Sequence, residues 1–167
     1  MGTSAEWSVG YARQADADFN TFKSIQAMPV PPCHKLQFLQ MACEKLVKVH
    51  LCGEGTDPKT LQSSHAYVAT TLPVVLRQQA IFVNFQGGKA REALNHARHL
   101  AQEIDVLAPA VKRGGQRPDN CEYPWEDSGA VVRVPLDWAF LPSQLVVMPA
   151  GRTILKLIRG AIDRLLQ

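Results

Sequence analysis

Large apolar residues return at steps of three and four along most of this chain, and that period calls for helices packed face to face. From Trp7 to Met28 the repeating positions are Trp7, Tyr11, Ala15, Phe19, Phe22 and Ile25, with polar side chains between them. "MPVPP" ends that stripe, because prolines 29, 31 and 32 remove backbone donors and bias each preceding residue away from helical geometry. A second stripe runs from Cys33 to about Leu51 through Leu36, Leu39, Cys43, Leu46 and His50, and Gly53 and Gly55 close it.

"TDPK" pairs a capping Asp57 with Pro58 at a first helical position, which predicts a short turn of helix. Ser63 and Ser64 are then placed to cap a third helix from "HAYVATTL", with Pro73 either kinking it or opening its second half, "PVVLRQQAIFVNF". Gly87 and Gly88 stop it. The fourth and longest helix is predicted from Lys89 to about Lys112, its apolar face drawn from Ala90, Leu94, Ala97, Ala101, Ile104, Leu107 and Val111. Residues 114–149 break the period: they hold five of the eleven prolines, and "GAVVRVPLDW" is rich in β-branched residues. They predict an irregular excursion with room for a small hairpin, held on the bundle by Tyr123, Trp125, Trp138 and Phe140. "GRTILKLIRGAIDRLLQ" carries the last stripe. The fold class expected is all-α: an antiparallel bundle of four to five helices with a Pro-rich excursion before the last helix.

A length of 167 residues suits one domain, and 46% hydrophobic with 20% charged residues is the balance of a globular protein. No apolar run reaches the roughly 20 residues of a membrane span, and "MGTSAEWSVGYARQ" lacks the pattern of a signal peptide, so a cytoplasmic chain is expected, with no membrane partner. Cys33, Cys43, Cys52 and Cys121 form no C-x2-C pair and read as buried free thiols. His96 and His99 sit at i, i+3 without a third ligand in view, so neither a metal site nor a cofactor is expected. The net charge of +3 is unevenly spread. Residues 89–117 carry six basic against three acidic side chains, residues 149–167 four against one, and residues 118–140 one against five. A basic surface of that kind either attracts nucleic acid or is neutralised by the acidic strip beside it.

The pieces "WSVGYARQADADFNTFKSI", "FLQMACEKLVKVHL" and "SSHAYVATTLP", in that order over about residues 7–73, resemble the first three helices of the HEPN superfamily, the helical nucleotide-binding domains of higher eukaryotes and prokaryotes. The chain reads as a divergent, bacterial-type member. The resemblance implies an all-helical domain that pairs as a homodimer with a polar cleft between subunits. Many members are ribonucleases of toxin–antitoxin, antiviral or RNA-processing systems. Others bind nucleotides or partner nucleotidyltransferases. Catalytic members share R-x4-6-H, which only Arg91 and His96 fit here, with Glu92 after the arginine. Another branch carries Arg-Tyr-Pro before its last helix, and "EYPW" places Glu122 where that arginine would be.

Two functional readings follow. One is an RNA- or nucleotide-binding interaction module in a toxin–antitoxin or defence system, with an antitoxin or nucleotidyltransferase partner and with Arg98 and His99 as its nucleic-acid contacts. The other is a metal-independent endoribonuclease in which His96 takes the ribose 2′-hydroxyl proton and Arg91 stabilises the phosphorane. The helix start after two glycines adds backbone donors that suit a phosphate. Five residues of ideal helix, however, turn through about 500°, setting Arg91 and His96 roughly 140° apart, so the pair converges only with a second copy or across a frayed first turn. A plainer account also stands, in which Arg91, Asn95, Arg98 and Gln102 are a solvated stripe. His65 reads as a capping or core-edge histidine. Glu44 and Lys45, adjacent and pointing apart, read as helix-surface charges rather than an ion pair.

Overall fold

The computed structural model describes residues 2–108 and 119–167. Five long helices carry the fold: α1 (Ser4–Ile25), α2 (Pro32–Gly53), α4 (Val68–Phe82), α5 (Gly88–Asp105) and α7 (Pro149–Leu165). Two short ones, α3 (Pro58–Gln62) and α6 (Leu141–Leu145), join them. The all-α bundle expected from the apolar stripes is what forms. No helix among the described residues is long and apolar enough to cross a membrane.

Helix α1 starts three residues before the predicted Trp7 because Thr3 and Glu6 make a capping box. Thr3 Oγ1 accepts from the Glu6 N–H (3.2 Å), and Glu6 returns a carboxylate oxygen to the Thr3 N–H (2.6 Å). Pro29, with no N–H for the Ile25 carbonyl, stops α1 from continuing, and Pro31 and Pro32 open α2, Pro32 occupying the first turn, where a missing N–H costs nothing. Partners across the first two helices descend along one as they ascend along the other, with Lys48 over the Tyr11 ring and Lys45 paired with Asp18. The two helices are therefore antiparallel. Phe19 and Phe22 of α1, Leu39 and Leu46 of α2, Leu72 and Leu76 of α4, Leu100 and Ile104 of α5, and Ile154 and Ile158 of α7 meet in one core. All four cysteines are buried free thiols, and burial pushes the Cys43 thiol up to about 12.

The predicted caps at Ser63 and Ser64 are not where α4 begins. Ser63 Oγ bonds back to the Thr60 carbonyl, and the first N–H of α4, that of Val68, donates to Asp105 Oδ1 at the far end of α5 (3.0 Å). An orphan donor of one helix is thus satisfied by its neighbour. Pro73 lies inside α4, which runs on to Phe82 and stops short of the glycines, the chain leaving it through Asn84 in the left-handed region. Helix α5 ends at Asp105, earlier than the predicted Lys112; Val111 and Lys112 lie outside the described residues, as do positions 114–118 of the excursion.

The rest of the excursion contains the expected hairpin. β1 (Trp125–Glu126) pairs antiparallel with β2 (Val132–Arg133), Trp125 opposite Arg133. Asp127 shapes the turn, Oδ1 accepting from the Gly129 and Val131 N–H groups and Oδ2 from Arg133 Nε. Trp125 packs edge-on against Trp138 at 5.4 Å and beside Phe140, pinning the hairpin to the bundle. Tyr123, expected to help, instead stays 60% exposed.

Candidate nucleic-acid interface

Gly87 precedes α5 at φ 85°, a conformation open to glycine, and lets the chain turn sharply from α4 into α5 so that the two helices lie side by side. Between them runs a groove of about 660 Å³. Its α5 wall is Arg91, Leu94, Asn95, Arg98 and Gln102, and its α4 wall is Ala69, Thr70, Pro73, Val74 and Arg77. The polar α5 positions fall at i, i+4, i+7 and i+11, one face of the helix. Pro73 has no N–H to give the carbonyl four residues earlier, so Ala69, on the same wall, lacks its helical donor.

Arg77, Arg91 and Arg98 are exposed, and none of them has an ion pair among the described residues. The neutralisation that the acidic strip could have supplied does not reach them. Arg77 was missed by the reading of the sequence. Its signal was available, since it is the only charged side chain of α4 and stands one turn beyond Pro73 on the same face.

The histidines lie elsewhere. His96 is half-buried and does not line the groove, as its roughly 140° offset from Arg91 requires. His99 is exposed, its Nε2 3.9 Å from Glu103 Oε1, and it too stands outside. The structure therefore gathers Arg91 and Arg98 with Arg77 in one groove, and within one chain it does not bring Arg91 together with His96.

A second polar constellation is buried on α2. Glu44 is only 8% exposed and Lys48 only 3%, which overturns the reading of Glu44 as a helix-surface charge. Lys48 Nζ donates to Glu44 Oε1 (2.6 Å), while Gln40 Nε2 and His65 Nδ1 both lie 3.0 Å from Oε2. Burial pushes the Glu44 carboxyl up, but the hydrogen bonds from Lys48, His65 and Gln40 outweigh it, so the group sits below the ordinary glutamate value. Lys45, as expected, is not Glu44's partner: it reaches Asp18 of α1 (3.2 Å), which also accepts from Gln14 (3.1 Å). The overlooked signal was the i, i+4 spacing of Gln40, Glu44 and Lys48, which stacks the three on one face.

Comparison with protein-family models, with curated proteins and with solved structures finds no match to this chain.

Proposed function

We propose that this chain is an RNA-binding interaction module of HEPN-like architecture that holds the phosphate backbone of single-stranded RNA in the groove between α4 and α5. One observation carries the reading: three arginines from two helices converge on a single groove with no carboxylate partner among the described residues. Guanidinium groups are the side chains best suited to phosphate oxygens. Arg91 and Arg98 stand seven residues apart, roughly 10 Å along the axis, a spacing that suits separate phosphates along a strand rather than the clustered charge of one mononucleotide. Asn95, Gln102 and Thr70 add neutral hydrogen-bonding groups.

The HEPN resemblance supplies the proposed setting, a homodimer within a toxin–antitoxin or defence system. Beyond the groove, the end of α4 leaves Ile81 and Phe82 exposed, with Val83 following, and this is the surface we assign to pairing. The ribonuclease reading would draw His96 from the second copy, because one chain does not present it to the groove.

Fluorescence anisotropy with a labelled single-stranded RNA in excess chelator tests the proposal. Arg77→Ala, Arg91→Ala and Arg98→Ala should each weaken binding about tenfold, the loss of one charge-assisted contact of about 1.4 kcal/mol. Arg13→Ala, which removes the same charge from α1, should leave binding nearly unchanged. The RNA should be recovered intact. Cleavage that disappears in His96→Ala would replace the binding module by the ribonuclease, and equal effects from all four variants would reject the groove.

A further inference from the structure

A cavity of about 640 Å³ opens between α2 and the loop leading to β1, with Gln40, Met41, Lys45, His65, Glu122 and Tyr123 among its walls. It shares no residue with the arginine groove. Apart from the Tyr123 hydroxyl and the Lys45 ammonium, which is already bonded to Asp18 and the Met41 carbonyl, the polar groups it offers a ligand are hydrogen-bond acceptors. Glu44, with three donors already on it, serves to hold His65. A carboxylate can only accept, so in the neutral ring Nδ1 carries the proton directed at Glu44. Nε2 is then left as an acceptor, with no partner among the described residues. Gln40 spends its amide N–H on Glu44 and keeps Oε1 without a partner among the described residues.

The charges point the same way. Lys48 is matched by Glu44 and Lys45 by Asp18, so among the described residues the Glu122 carboxylate is the uncompensated charge at the cavity. Next to it stands the 60% exposed ring of Tyr123. Both residues are held in place from below: the N–H groups of Glu122 and Tyr123 donate to Oδ1 of buried Asn120, at 2.9 and 2.7 Å.

We infer that this cavity binds an organic cation, a primary ammonium or guanidinium on a short apolar stem, such as the end of a lysine or arginine side chain. The cation hydrogen-bonds to the Glu122 carboxylate and His65 Nε2 and lies against the Tyr123 face, while Met41 and Ala108 take the stem. The inference is independent of RNA binding.

The test is titration of the whole chain with butylguanidinium, followed by NMR through the ring signals of His65 and Tyr123, with butanol and butyrate as comparison probes. Saturable binding with a Kd on the order of 1 mM is expected, as suits so small a ligand. Glu122→Gln and Tyr123→Ala, both exposed positions whose change spares the core, should weaken it at least about fivefold. Arg91→Ala should leave it unchanged. The inference is overturned if butanol or butyrate binds as tightly as the cation, if Glu122→Gln has no effect, or if no saturation is reached by about 20 mM.

Discussion

Glu44 shows what a single residue does here and why the sequence hid it. "ACEKL" presents a glutamate beside a lysine on an amphipathic helix, and adjacency says nothing about which face is covered. Only the arrival of α1 and of the segment before α4 buries Glu44 and Lys48 and brings His65 onto the carboxylate. Glu44→Ala should destabilise the fold by about 3–5 kcal/mol, because it strands a buried ammonium. Adding Lys48→Met should recover much of that loss, measured by urea unfolding of the single and double variants. The pH dependence follows from the lowered carboxyl. Its contribution is complete above the ordinary glutamate value of 4.5 and is lost as pH falls through the lower folded value. Wild-type stability should therefore fall more steeply in acid than that of Glu44→Gln. Arg91 and Arg98, by contrast, were legible, since their spacing alone puts them on one helix face.

Among the elements, the stripes of α1, α2, α5 and α7 were readable because burial of one helix face writes a period into the chain. The start of α4 was not, because its cap is Asp105, 37 residues away in sequence. Asp105→Ala should remove that acceptor and cost about 1 kcal/mol, with amide exchange rising first in the opening turn of α4. The hairpin could be expected from β-branched content, but its attachment depended on where Trp138 and Phe140 would meet Trp125. The junction of α6 and α7 is closer still. A Cβ at Gly151 would overlap the Leu145 carbonyl oxygen and lie 2.8 Å from Val146 Cα, both backbone atoms with no rotamer to escape into. Gly151→Ala should cost about 1–3 kcal/mol of stability by thermal or urea unfolding. An unchanged midpoint would mean that the α6–α7 junction is looser than this geometry.

At the scale of the whole molecule, the bundle pairs several of its cations with carboxylates while the three arginines of one groove have no such partner among the described residues. Asp16 and Asp163 hold Arg159, Asp127 holds Arg133 and Asp18 holds Lys45. Arg77, Arg91 and Arg98 face open groove instead. Pairing of two copies through the exposed end of α4 should appear as a concentration-dependent dimer in light scattering, shifted to monomer by Ile81→Asp; a monomer at high micromolar wild-type concentration would reject that surface. The central claim, that the groove engages RNA through its backbone charge, is tested most directly by the salt dependence of binding. Each phosphate neutralised on a single strand contributes about 0.7 to the slope of log K against log salt, so replacing all three arginines by alanine should flatten the slope by about 2 units. A triple variant that binds with the wild-type slope and affinity would contradict the account.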